Sequence, residues 1–183
     1  MGLASDIARQ AGTRVVTVDY RLAPEHPYPA AIEDAVAAYR GLLDSGLPAD
    51  RIALAGESAG AGLAMATLVA LKVAGLPQPS SAVVFSPWAD LTLTGTRMTR
   101  KAAVDPSLTP QGLRRRAADY VGAAAPDDAL ISPVFADLTG LLEVPPGVPH
   151  VFQGFAALLD EAGAALARAG AFLRRRFHAD IPA

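Results

Sequence analysis

The sequence contains no cysteine among its 183 residues. This absence excludes disulfide bonds, catalytic thiolates and cysteine-ligated metal sites, and it fits a cytoplasmic protein. The N-terminal residues show neither the basic start nor the apolar stretch of a signal peptide, and they do not match a myristoylation site. We therefore expect a cytoplasmic location.

Long apolar runs and an excess of one charge are also missing. The longest apolar stretch, Leu63 to Leu71, is much shorter than the ~20 residues that span a bilayer. The formal net charge of −2 gives no reason to expect nucleic acid or an anionic membrane as a partner. By contrast, 51% of the residues are hydrophobic, which predicts an ample core in a single domain over residues 1–183.

Strand and helix patterns alternate along the chain. Apolar and β-branched runs predict strands at 14–20, 52–55 and 81–86. Helical spacing predicts a helix ending near residue 10 and further helices at 32–43, up to about 73, at 109–121 and at 155–172. The helix that ends near 73 is apolar on every side, which predicts burial. The alternation predicts an α/β fold with a parallel sheet covered by helices on both faces.

The most informative motif is the pentapeptide Gly56-Glu57-Ser58-Ala59-Gly60, directly after the apolar run 52–55. A G-x-S-x-G pattern after a buried strand is typical of a nucleophile elbow, in which Gly56 and Gly60 permit a sharp turn. The turn would present the Ser58 hydroxyl at the N-terminus of the next helix. There the backbone N–H of Ala59 and the positive helix end can face an oxyanion. The motif therefore predicts a serine hydrolase with Ser58 as nucleophile.

Five segments lie in order at residues 19–31, 56–60, 86–91, 131–138 and 146–152 and extend through nearly the whole chain. Together they resemble the hormone-sensitive-lipase-like bacterial esterases, family IV of the α/β-hydrolase fold. The resemblance implies a carboxylic ester hydrolase that acts on small esters through an acyl-enzyme and needs no metal or organic cofactor. It also implies that His150, in the last segment, is the general base.

The sequence also departs from the family pattern. The family's upstream His-Gly-Gly-Gly segment, which supplies half of the oxyanion hole, has no counterpart here, and neither do the first three strands. A second gap lies near Leu141, where a strand–acid–helix unit of ~30 residues is expected. Glu143 lies in what resembles the final strand, so the triad acid stays unknown. We expect an incomplete α/β-hydrolase with several strands missing, impaired activity and possible self-association through unpaired strand edges.

The remaining histidines, the tryptophan and the arginine clusters have mainly structural interpretations. We expect the side chains around His26 to brace the signature loop and His178 to lie in a solvated tail. Trp88 either packs in the core or lines the pocket. The clusters Arg114–Arg116 and Arg174–Arg176 fit solvated helix surfaces better than nucleic-acid contacts.

Other classes of function stay open. Hormone receptors on the same fold resemble such esterases and have lost catalytic residues, so a non-catalytic binding protein is one alternative, and a degraded gene fragment is another. Retention of both Ser58 and His150 favours the esterase, because a receptor needs no aligned pair. A peptidase or lactonase is a weaker alternative, since the D-Y-R-L-A-P-E segment at 19–25 speaks against it.

Overall fold

A computed structural model describes residues 2–94, 109–139 and 160–178. Within these ranges the helices are α1 (Leu3–Ala11), α2 (Ala30–Asp44), α3 (Ala59–Val73), α4 (Pro110–Val121) and α5 (Asp160–His178). The strands are β1 (Ala53–Glu57) and β2 (Ser81–Phe85), and single 3₁₀ turns cover Ala49–Arg51 and Pro133–Phe135. The two strands lie within one or two residues of the strands predicted at 52–55 and 81–86.

The two strands form a parallel sheet, as the alternating pattern predicts. Ala53 pairs with Ser81 at one end, and Glu57 pairs with Phe85 at the other. The crossover between them is α3, which packs against both strands. This strand–helix–strand unit brings the C-terminal ends of β1 and β2 to the same edge of the sheet.

Helices cover both faces of the sheet. Leu54 packs with the core around Tyr39 of α2 and Leu71 of α3. Its neighbour Ala53 packs with the core around Ile7 of α1 and Leu173 of α5. Consecutive strand residues point to opposite faces, so α2 and α3 form one outer layer and α1 and α5 form the other. The three-layer α/β arrangement predicted from the sequence is confirmed.

The central helix α3 is buried on most sides, as its uniform apolar character predicts. Its buried residues are Ala61, Gly62, Ala64, Met65, Ala66, Thr67, Leu68, Val69 and Leu71. It contacts α2 on one side and both strands on the other. A helix apolar all round is stable only in such a position. The burial of α3 therefore also fixes the position of the C-terminal end of β1, which directly precedes it.

The C-terminal helix α5 has 19 described residues. On its predicted apolar face, Leu166 and Ala169 are buried and Phe172 is partly buried against the same core. The beginning of that predicted helix, 155–159, lies outside the described residues. Across the described ranges, no helix is both long enough and apolar enough to cross a bilayer.

The segment 14–20, which the sequence predicts as a strand, has no regular secondary structure and belongs to no sheet. Its backbone groups make no hydrogen bond to any other described residue. Val15, Val16 and Val18 are 39%, 67% and 40% exposed. β-Branched side chains favour an extended backbone, but a strand also needs a neighbour to complete a ladder. The prediction of a strand at 14–20 is wrong because, within the part of the chain that is described, no neighbouring strand pairs with it.

One end of this segment is anchored to α2 through Arg21. The Arg21 guanidinium donates to both carboxylate oxygens of Asp34, with Nη2 at 2.9 Å from Oδ1 and Nε at 3.0 Å from Oδ2. It also donates to Glu33 at 3.0 Å and to the carbonyl of Ala30 at 3.3 Å. These hydrogen bonds lower the pKa of the Asp34 carboxyl. We call this group of side chains the Arg21 clasp.

Candidate active site

The pentapeptide 56–60 forms a sharp turn between β1 and α3. Glu57 ends the strand and Ala59 begins the helix, so Ser58 alone makes the turn. Its backbone has φ 52° and ψ −115°, a conformation that costs free energy for a residue with a side chain. A Cβ on Gly56 would lie 2.2 Å from the carbonyl oxygen of Gly60, whereas a Cβ on Gly60 would meet nothing within 4 Å. The steric demand of the turn therefore falls on Gly56.

The backbone of Ser58 is held by hydrogen bonds while its side chain is exposed. Its N–H donates to the carbonyl of Phe85 at 2.9 Å. Its carbonyl accepts from the N–H of Gly62 at 3.1 Å and from the N–H of Trp88 at 3.0 Å. The Ser58 hydroxyl makes no hydrogen bond within the described ranges. The turn thus combines a fixed main chain with a hydroxyl open to a small molecule.

Ala59 provides a backbone donor next to this hydroxyl. As the first residue of α3, it has no preceding helical carbonyl to which its N–H can donate. No other described residue accepts from that N–H. The N-terminal end of a helix also carries a partial positive charge. An anionic oxygen placed beside Ser58 would therefore meet one free N–H and a favourable field.

The loop after β2 packs directly on the turn, a contact that the sequence analysis missed. A Cβ on Gly62 would lie 2.3 Å from the carbonyl oxygen of Trp88, so α3 and this loop touch backbone to backbone. In the sequence, the only signal for this contact was a glycine, Gly62, four residues after Ser58. The Trp88 ring packs with a core that includes Leu91 and Val121, and its indole N–H is buried without an acceptor among the described residues. The packing interpretation of Trp88 is supported.

The expected catalytic partners of Ser58 cannot be placed next to it. His150, predicted as general base, and Glu143 lie outside the described residues. Asp137, a conceivable substitute acid, accepts a hydrogen bond from Lys72 Nζ at 3.0 Å near the C-terminal end of α3. Ser58 caps the opposite end, about 20 Å away along an axis that rises 1.5 Å per residue. Thr139 and Lys72 hold the pKa of Asp137 well below its usual range, and the contact with Lys72 keeps this carboxylate away from Ser58.

Several other polar residues singled out in the sequence lie on exposed surfaces. His26 and Glu25 are exposed, and the bracing expected from the side chains around His26 comes instead from the Arg21 clasp. His178 ends α5 and does not lie in a tail, because the helix continues through Arg174–Arg176. These arginines and Arg114–Arg116 of α4 are exposed, as predicted for solvated helix surfaces.

Metal binding has no obvious place in the described ranges. Within them, no three histidine, aspartate or glutamate side chains cluster in a way that could hold an ion. The expectation that the protein needs no metal or organic cofactor stays a prediction.

Sequence comparison places the chain among hydrolases. A family model described as alpha/beta hydrolase fold matches residues 2–173. The chain is 47% identical over 162 residues to an acetyl-hydrolase of Streptomyces hygroscopicus, a match that covers 87% of this chain and 54% of that protein. It is 40% identical over 140 residues to the putative acetyl-hydrolase LipR of Mycobacterium tuberculosis, covering 76% of this chain and 45% of that one. The chain spans about half the length of these curated relatives.

Structural comparison also finds esterases among the solved structures that resemble this chain. An esterase from the bacterial hormone-sensitive lipase family is 43% identical and superimposes with a TM-score of 0.88, covering 96% of this chain and 70% of that chain. An esterase/lipase from an uncultured bacterium is 36% identical, with a TM-score of 0.87 and the same coverage. The backbone therefore follows part of an esterase structure over nearly its whole length.

Proposed function

We propose that this chain, which belongs to the alpha/beta hydrolase fold family, is a carboxylic ester hydrolase with Ser58 as its nucleophile. The position of Ser58 carries the proposal. The residue lies between β1 and α3 with a positive φ, an exposed side chain and the free N–H of Ala59 beside it. The esterases and acetyl-hydrolases among the relatives support the reaction class.

In the proposed reaction the Ser58 hydroxyl attacks the acyl carbon of a small ester, and His150 takes the hydroxyl proton. The N–H of Ala59 stabilises the tetrahedral oxyanion. His150 then gives the proton to the departing alcohol, which leaves an acyl-enzyme on Ser58. Finally His150 activates a water molecule that releases the carboxylic acid. Ser58, Ala59 and His150 of this chain take part in these steps, whereas the acid that orients His150 has no assigned residue.

We further propose that the activity of this chain is impaired. The triad acid has no assigned residue, since Asp137 lies at the far end of α3 and Glu143 lies in what resembles a strand. Losing the orienting acid typically costs about 10⁴ in turnover, which would make the chain a weak esterase.

Covalent labelling tests the nucleophile. A fluorophosphonate ester should add one adduct to the folded chain, at Ser58, and Ser58→Ala should abolish it. Ser45→Ala is the matched control, because Ser45 is an exposed serine that ends α2 away from the turn; this variant should label like the wild type. Intact-protein mass and peptide mapping give the result. An unlabelled wild type with a folded circular dichroism spectrum, or an adduct on another serine, would contradict the proposal.

Within the described ranges the sheet has two strands, which favours one competing interpretation, a degraded gene product on the esterase fold. A non-catalytic binding protein is a further alternative, for which the labelling experiment is decisive, because such a protein has no need of a reactive serine. We also propose self-association through segment 14–20, since its exposed β-branched residues have backbone groups that bond to no other described residue, and such groups pair readily with another chain. A cytoplasmic location stays a prediction.

A further inference from the structure

The hydroxyl of Ser132 is buried and joins two loops. Ser132 is 0% exposed. Its Oγ donates to the carbonyl of Pro126 at 2.6 Å and accepts from the backbone N–H of Leu91 at 2.8 Å. A hydroxyl used both as donor and as acceptor in a buried position fixes the distance between the groups that it connects. Ser132 thereby ties the chain before the 3₁₀ turn 133–135 to the loop that follows β2.

That loop, residues 86–91, is the same one that contacts the proposed nucleophile. Next to the Ser132 contact, the N–H of Val134 donates to the carbonyl of Ala89 at 3.1 Å. On the other side of the loop, the N–H of Trp88 donates to the carbonyl of Ser58 at 3.0 Å. Loop 86–91 is therefore held by residues 132–134 and in turn holds Ser58.

We infer that Ser132 is a positioning residue for Ser58 and acts through loop 86–91. The inference rests on the proposed function, in which Ser58 is the nucleophile. Without the Ser132 hydroxyl, the buried N–H of Leu91 has no acceptor and the carbonyl of Pro126 loses its donor. The loop can satisfy these groups only by moving, and Trp88 moves with it. The Ser58 carbonyl then loses one of its two donors.

Ser58 is sensitive to such a change because its backbone is strained. A non-glycine residue at φ 52° keeps that conformation only while its surroundings fix it. A small displacement of the turn redirects the hydroxyl, and a misplacement of about 1 Å can slow a reaction about 10²-fold. The effect of Ser132 should therefore appear in the reactivity of Ser58 as well as in stability.

Thr67 offers a matched control. It is 2% exposed, and its hydroxyl donates to the carbonyl of Leu63 at 2.7 Å. Thr67 lies on α3, the helix that Ser58 caps, so Thr67→Val also removes one buried hydroxyl bonded to a carbonyl. Its hydrogen bond is local to the helix and has no link to loop 86–91. A general loss of stability should affect both variants, whereas a positioning effect should follow Ser132 alone.

The experiment compares the labelling rate and the amide exchange of the wild type, Ser132→Ala and Thr67→Val. Each protein is measured the same number of degrees below its own melting temperature. We expect Ser132→Ala to react with the fluorophosphonate ester about tenfold more slowly or worse, and Thr67→Val to stay within about twofold of the wild type. In hydrogen exchange, the amide of Trp88 should exchange about tenfold faster in Ser132→Ala and unchanged in Thr67→Val. Ser132→Cys, which keeps a weak donor and acceptor, should give intermediate values for both and replaces Ser132→Ala if that variant does not fold.

Equal labelling rates and equal Trp88 exchange in the wild type and the Ser132 variant would overturn the inference. So would equal losses in the Ser132 and Thr67 variants. If the wild type itself fails to label, the proposed nucleophile is wrong, and unchanged Trp88 exchange would additionally show that Ser132 does not hold the loop.

Discussion

At Gly56 and Gly60 the same residue type serves two different purposes. A methyl group on Gly56 would collide with the backbone of Gly60, at 2.2 Å from its oxygen, and no flexible side chain is there to give way. We expect Gly56→Ala to lower the free energy of unfolding by about 1–3 kcal/mol, because the turn must open. Gly60→Ala should be neutral or stabilising by up to about 1 kcal/mol, since alanine is the better helix former.

Urea denaturation of the two glycine variants, followed by circular dichroism, checks this pair. Gly60→Ala provides the control for adding a methyl group within the same pentapeptide. Equal stabilities would show that the turn accommodates a side chain at either position. The result bears on the site directly, since Ser58 lies between the two glycines.

The Arg21 clasp should make stability depend on acid pH. Hydrogen bonds from Arg21 lower the pKa of Asp34 below its ordinary value of 3.8. Their stabilisation is fully present above that ordinary value and is lost as the pH falls through the lowered pKa, where Asp34 takes up a proton. Asp34→Asn should therefore melt below the wild type at pH 7, and the difference should shrink as the pH falls below 3.8 and through the lowered pKa of Asp34. A difference that stays constant with pH would show that the charge of Asp34 is irrelevant.

Among the elements, α1 and α5 meet at a contact that leaves no room for a side chain. A Cβ on Gly170 of α5 would lie 2.5–2.6 Å from Cβ, C and O of Gln10 on α1. Gly170→Ala should destabilise by about 1–3 kcal/mol through overpacking, less the propensity gain of about 1 kcal/mol. Gly163→Ala on the same helix meets nothing within 4 Å and should stabilise. Thermal melts of both variants decide whether α1 packs on α5 as described.

The elements best predicted from the sequence are those whose partners are close in the chain. Strands β1 and β2 and the helix α3 between them follow from local apolar patterns and the G-x-S-x-G signal. Segment 14–20 shows the limit, because its Val-Val-Thr-Val run encodes an extended backbone and cannot encode whether a neighbour is present to pair with it.

Contacts between distant parts of the site could not be predicted from the sequence either. The approach of Trp88 to Gly62 and the link from Ser132 to Leu91 join segments whose spacing in the sequence carries no periodic signal. Both become visible only when the fold brings the ends of β2 and α3 together.

For the whole molecule, the exposed segment 14–20 should control the oligomeric state. Val16 is 67% exposed in a stretch whose backbone makes no hydrogen bonds to the other described residues, and the mean hydropathy of the chain is +0.28. We expect light scattering on freshly purified protein to show self-association. Val16→Lys should reduce it, since a lysine on a strand edge opposes pairing. Val73→Lys is the control, because Val73 is 81% exposed but ends a helix.

A monodisperse wild type with a cooperative melt would contradict this prediction. It would mean that the backbone of 14–20 is satisfied within one chain. An equal effect of Val16→Lys and Val73→Lys would instead assign the association to general surface hydrophobicity.

The same segment has a consequence for the lifetime of the chain. Proteases bind their substrates as extended backbones whose N–H and C=O groups are free, and the backbone of residues 14–20 makes no hydrogen bond to another described residue. The exposed Arg14 followed by Val15 presents a bond of the kind that trypsin-like enzymes hydrolyse, whereas Arg21 is engaged by Asp34. Cleavage there would separate α1 from the rest of the main chain. Exposed segments of this kind are preferred sites of proteolytic cleavage.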